Sequence, residues 1–107
     1  MGITGMWKGY VGAVKKRVLV IWFRPRVKNG DFEHQASQGA DEIFVRVRPL
    51  LEKSVLDLCI IKAQATIGLG PVFATRTKSY VFERTGSGDW RQATNAKLLS
   101  QVIKAGL

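Results

Sequence analysis

Cysteine and histidine are almost missing from this chain of 107 residues, which has one of each, Cys59 and His34. A lone cysteine excludes an intrachain disulfide and a CxxC pair, so a thiol oxidoreductase has no second thiol to work with. Cys59 lies in the apolar run LDLCII and reads as a small buried hydrophobe. His34 stands in a polar stretch beside Asp31 and Glu33, a set too small and too loosely spaced for a transition-metal site. Neither a Ser-His-Asp nor a Cys-His arrangement can be assembled from these residues. The segment GLGP lacks the GxGxxG spacing and the lysine of a phosphate-binding loop, and it precedes a strand pattern instead of a helix. The residues thus offer no recognisable catalytic constellation and no metal site, and no cofactor is expected.

Long apolar runs are also missing. The longest is VLVIWF at residues 18–23, far short of the ~20 residues that span a bilayer. No acid occurs before Asp31, whereas Lys8, Lys15, Lys16, Arg17, Arg24, Arg26 and Lys28 all do. The whole chain carries 17 Lys and Arg against 8 Asp and Glu, a net charge of +9, so its expected partners are anionic: nucleic acid, an acidic protein surface or a lipid face. A basic N-terminus without acids also suits import into mitochondria. With 46% hydrophobic residues and three Trp, a chain of this length folds as one domain around a single core.

KRVLVIWFR at 16–24 has a continuous apolar centre with basic ends, the pattern of a strand buried on both faces. Pro25 ends it, and VKNGDFEHQ reads as a loop. The stretch DEIFVRVRPLL at 41–51 alternates like a strand, yet on a helical wheel Ile43, Phe44, Val47, Leu50, Leu51 and Val55 share one arc of about 140°. The helix accounts for more of the stretch, with Ser37 as N-cap and Asp41 and Glu42 near the positive end of the dipole. Pro49 falls on its polar arc.

VLDLCIIKA at 55–63 is a second strand and QATIGLGP a connection. Residues 72–77 and 80–84 then read as a hairpin turning at Lys78-Ser79. Asp89 can cap a closing helix whose face holds Ala93, Ala96, Leu99, Val102 and Ile103, with Gly106 at its end. The glycine-rich residues 1–14 read as an N-terminal arm, and residues 15–107 as the domain.

This order is β-α-β-β-β-α. The crossover helix lets the first two strands lie parallel, and the hairpin extends the sheet antiparallel. The expected fold is α/β and thioredoxin-like, a mixed four-stranded sheet with helices packed on it. For partner binding the candidates are Trp7, Lys15, Lys16, Arg17, Arg24, Arg26 and Lys28, since cations fix phosphates and exposed aromatics stack bases. The alternative places Trp22 and Phe23 in the core and leaves the cations solvated or paired with acids.

Several strings resemble one mitochondrial family, which unites the alpha-subcomplex subunit 2 of NADH:ubiquinone oxidoreductase (complex I) with certain mitochondrial ribosomal proteins. SQGADEIFVRVRPLLEKS resembles the SxGxRxFV…L opening of that family's first helix, LDLCIIKAQ its second strand, and LLSQVIKAG its closing helix, while KKRVLVIWF falls at its first strand. The resemblance implies a thioredoxin-like fold and a non-catalytic accessory subunit of the matrix arm of complex I, on the matrix side of the mitochondrial inner membrane. Its partners would be neighbouring protein subunits. The alternative within the same family is a mitochondrial ribosomal protein that holds rRNA through its basic N-terminal third. Complex I members tend to stop just after the last helix, as this chain does at Leu107, whereas the high positive charge leans toward the ribosome. Many complex I members carry a cysteine at the end of strand one and another after strand two; here those positions hold Phe23 and Gln64, so no redox switch carries over.

Overall fold

The apolar run at 18–23 forms a strand that the sheet buries on both faces for most of its length. In the computed structural model, which describes residues 4–7, 9–27 and 30–93, this strand is β3 (Val18–Phe23), and the helix α1 (Phe32–Glu52) carries the chain over to β4 (Leu58–Leu69). β3 and β4 pair in parallel, from Val18 opposite Leu58 to Phe23 opposite Ala63. The α/β class and the mixed sheet agree with the sequence reading, and so does the helix over 41–51.

Among the described residues the sheet has six strands where four were expected. Residues 4–7 and 10–15, all but Lys15 within the expected N-terminal arm, are β1 (Thr4–Trp7) and β2 (Tyr10–Lys15); β1 pairs antiparallel with β2, and β2 antiparallel with β3. On the far side, β5 (Val72–Arg84) runs antiparallel to β4, and β6 (Trp90–Gln92) antiparallel to β5. Spatial order follows chain order from β1 to β6. Among the described residues the element order is β-β-β-α-β-β-β, not the β-α-β-β-β-α of the thioredoxin-like expectation.

The expected hairpin at Lys78-Ser79 does not exist. Those two residues pair with Ala63 and Lys62 inside a continuous ladder, and the turn lies at Gly70-Pro71, between Leu69 and its opposite Val72. Gly70 supplies the positive φ of 68° that this turn requires. The stretch QATIGL that looked like a connection alternates as a strand does, with Ala65 and Ile67 packed against the core and Gln64 and Thr66 exposed. Among the described residues no third strand pairs with the β4–β5 ribbon beyond Ala63.

α1 begins five residues before Ser37. Asp31 is its N-cap, and the Asp31 side chain accepts a hydrogen bond from the His34 amide at 3.1 Å. The earlier start lets Phe32, Ala36 and Ala40 join Ile43, Phe44, Val47 and Leu51 in one buried stripe. Pro49 lies inside the helix and is exposed, and the carbonyl it frees is that of Val45, also exposed. Two residues of the expected apolar arc depart from it: Leu50 is exposed, and Val55 is exposed beyond the helix end.

The main core fills the space between α1 and one sheet face, with Leu19, Ile21, Phe23, Cys59, Ile61, Tyr80, Phe82 and Trp90 from the strands. The Phe44 and Phe82 rings stack across it at 4.0 Å between centroids. On the opposite sheet face Val18, Val20, Ile60, Val81 and Ala93 form a second buried cluster. At Asp89 the expected helix start is replaced by β6, because Trp90 turns into the main core and Ala93 continues the ladder by donating its amide to the Val81 carbonyl. Ala96, Leu99, Val102, Ile103 and Gly106 of the expected closing helix lie outside the described residues.

Candidate functional site

The candidate cations separate into two groups at opposite ends of β3. Lys15, Lys16 and Arg17 cluster at the β2–β3 turn, where Lys16 takes a φ of 58°. Arg24 and Arg26 follow the other end, roughly 20 Å away at ~3.3 Å per strand residue. Arg17 is committed to the fold: its Nε stands 2.9 Å from Asp57 Oδ2 and donates to the Val55 carbonyl at 3.1 Å. Lys15 and Lys16 are exposed. Trp7 has its backbone in β1, opposite Tyr10. Lys28 lies outside the described residues.

The Arg24 end is the more elaborate. β3 stops at Phe23, and Pro25 lacks the amide needed to extend the ladder. β4 and β5 continue past that point, and a crevice opens around residues 24–26, toward α1 on one side and toward the projecting ribbon on the other. This is the carboxyl end of the parallel pair, the place where open α/β sheets commonly receive ligands.

Three adjoining cavities meet there, and Arg24 lines all of them. The first, about 410 Å³, lies between Arg24, Arg26 and the helix, which contributes Gln35, Gln38, Glu42 and Arg46. Their spacing of three and four residues places these four side chains on one helical face. The second, about 540 Å³, runs along the ribbon past Gln64, Thr66 and Thr75. The third, about 330 Å³, lies on the other side of the sheet, among Val11, Trp22, Arg24 and Gln64.

Charge in the crevice is unbalanced. Arg17, Arg76, Lys78 and Arg91 each stand within ion-pair distance of a carboxylate: Asp57 for Arg17, Glu33 for Arg76 and Lys78, Glu83 for Arg91. Among the described residues no such pair is formed by Arg24, Arg26 or Arg46, and Glu42 is the single acid of the first cavity. Three arginines line one cleft, and guanidiniums, with five donors each, suit the oxygens of phosphate or carboxylate.

Trp22 corrects the sequence reading that placed it in the core. Alternation along β3 turns Leu19, Ile21 and Phe23 toward α1 and Val18, Val20 and Trp22 to the other face, where Trp22 is 42% exposed. It lies opposite Val11 on β2 and Lys62 on β4. Phe23 is in the core as expected. The sequence reading also left out Gln35, Gln38, Arg46 and Gln64. Arg46 sits one turn after Glu42 on a polar helical arc and looked like an ordinary solvated charge. Gln64 falls in a stretch whose sequence reads as a connection.

Nucleophilic chemistry has little to draw on. Cys59 is fully buried, and desolvation pushes its thiol from an ordinary 9.0 up to about 12. Burial also raises Tyr80, with smaller contributions from the negative charges of Glu33 and Asp41. His34 is exposed in the first turn of α1. Among the described residues no three His, Cys, Asp or Glu side chains are grouped to hold a metal ion, and no helix is long and apolar enough to cross a membrane.

Compared with models of protein families, with curated proteins and with solved structures, the chain matches none. What the structure itself shows is a crevice whose first cavity is lined by three arginines and one acid.

Proposed function

We propose that the protein is a non-catalytic binding subunit that holds RNA within a larger assembly; in the terms of the family it resembles, this is a mitochondrial ribosomal protein. The observation that carries the reading is the convergence of Arg24, Arg26 and Arg46 on one cleft without ion pairs, at the carboxyl end of the parallel strands. Lys15 and Lys16 add a second cationic contact at the far end of β3. A backbone lying across both would explain why the excess charge is concentrated in the N-terminal third. Binding of a labelled RNA oligonucleotide across a salt series tests this. Three phosphate contacts at the cleft give a slope of about −2 in log K against log salt for a single strand. Arg24→Ala combined with Arg46→Ala should lower the slope, and salt-insensitive or absent binding would sink the reading.

A second reading keeps the protein in mitochondria as an accessory subunit of the complex I matrix arm. Its support is the ribbon tip, where Val72 and Phe73 are exposed, the latter by 72%; apolar side chains on a projecting hairpin suit a protein neighbour. This reading takes the β3–α1–β4 crossover as the thioredoxin-like part of the sheet, extended by strands on both sides. Comigration with NADH dehydrogenase activity on a native gel is its test. Recovery of the protein only in ribosome gradients would exclude it.

A further inference from the structure

The cavity beside Trp22 contains chemistry that a phosphate clamp does not need. An indole exposed by 42% in the middle of a sheet leaves apolar area in water that burial against a partner would recover. Around it stand Val11, an apolar wall 37% exposed, Gln64, whose amide offers both donor and acceptor, and Arg24. Together these groups match the parts of a nucleotide: a flat face for the base, an amide for its edge, a cation for its phosphate. At about 330 Å³ the cavity lies at the small end of ligand pockets, large enough for one nucleoside.

Resting on the RNA reading above, we propose that this cavity takes one unpaired base of a single strand, stacked on Trp22, its edge met by Gln64 and its phosphate by Arg24. Arg24 also lines the cleft of Arg26 and Arg46, so a strand leaving the base site has its next phosphates directed over the end of β3 and toward α1. A duplex keeps its base faces stacked inside and its edges paired, so it can use the arginines but not the indole. The consequence is selection of single-stranded over double-stranded RNA, set at Trp22 and not at the cations. Stacking is tolerant of base identity, so any base preference comes from Gln64.

Filter binding of one RNA sequence, presented single-stranded and as a duplex, tests the proposal in wild type, Trp22→Ala, Trp22→Phe and Gln64→Ala. Wild type should prefer the single strand by about tenfold, the scale of one base stack. Trp22→Ala should abolish the preference while leaving duplex binding unchanged, and Trp22→Phe should restore most of it. Titration with the single strand should quench intrinsic fluorescence in wild type, and this quench should be lost in Trp22→Phe, which separates Trp22 from Trp7 and Trp90. Trp22 lies outside both buried clusters, so its variants should retain the wild-type circular dichroism spectrum. An unchanged preference in Trp22→Ala would overturn the stacking site and leave the RNA reading standing. AMP competing as well as the oligonucleotide would also overturn it, in favour of a free-nucleotide pocket. A wild-type protein that binds neither form of RNA would overturn the underlying reading as well.

Discussion

Gly39 of α1 lies directly against the Phe23 ring of β3: a Cβ placed on Gly39 would come 2.5 Å from Cε2 and 2.9 Å from Cζ. A glycine inside a helix is normally improved by alanine, by roughly 0.5–1 kcal/mol. Here the sign reverses, because Phe23 is buried and the contact is closer than carbon atoms tolerate. Gly39→Ala should destabilise the protein by about 1–2 kcal/mol in urea unfolding, the scale of a mildly overpacked core. A stabilised variant would show that Phe23 can move aside.

Arg84 closes the other end of α1. Its Nη2 donates to the Leu51 and Ser54 carbonyls, both at 2.8 Å, its Nε donates to the Leu56 carbonyl at 2.9 Å, and the guanidinium stands 5.1 Å from the centre of the Trp90 ring. The last turn of the helix has no basic residue of its own, so Arg84 supplies the cation that the dipole favours there. Arg84→Ala should cost about 2–4 kcal/mol, since charged hydrogen bonds are lost and carbonyls are left half-buried. Arg84→Lys should recover little of this, because an ammonium cannot span three carbonyls and stack as well. Denaturant midpoints of both variants would decide it.

Cys59 should make the fold sensitive to alkali. Its thiol ordinarily titrates at 9.0 but is held up to about 12 in the folded protein. Above pH 9 the unfolded chain loses the proton first and binds fewer protons than the native state, so stability falls as pH rises between about 9 and 12. Tyr80, also raised, adds to the fall in the same direction. Urea midpoints measured from pH 8 to 11 should decline less steeply in Cys59→Ala than in wild type. At pH 8 a thiol reagent should react slowly with native protein and at once in denaturant.

At the start of α1, Asp31→Ala removes the acceptor for the His34 amide and should cost about 1 kcal/mol. Asp31→Ser should restore most of it. The thermal midpoint is a sufficient readout, and an unchanged midpoint in Asp31→Ala would mean that water replaces the cap without loss.

The strand–helix–strand centre could be read from the sequence because its signals are local and strong: six apolar residues in a row, then an apolar stripe at helical spacing. The helix start was placed too late because DFEHQ looks polar one residue at a time. Only the packing of Phe32 and Ala36 shows that the apolar stripe begins there. The Gly70-Pro71 turn was passed over because Thr, Gln, Lys and Ser on both sides of it suit loops as well as an exposed two-stranded ribbon. At the site, Arg24 and Arg26 were readable as cations near a strand end. Arg46 and Gln64 were not, since they reach the crevice only through the crossover and the ribbon, and no local pattern records that. Trp22 was misplaced because an apolar run does not show where burial on its second face ends.

Among the described residues only the β3–β4 pair joins strands distant in the chain; β1 to β3 and β4 to β6 are two meanders of sequence neighbours. Contacts inside a meander close short loops and form early, whereas the parallel joint must close the long segment through α1. This topology predicts that folding ends in the docking of two halves along one seam. The crevice straddles that seam, with Trp22 and Arg24 from the first half, Gln64 and Thr75 from the second, and Arg46 from the linking helix. A ligand seated there acts as a staple, and its binding free energy adds to the work of pulling the halves apart.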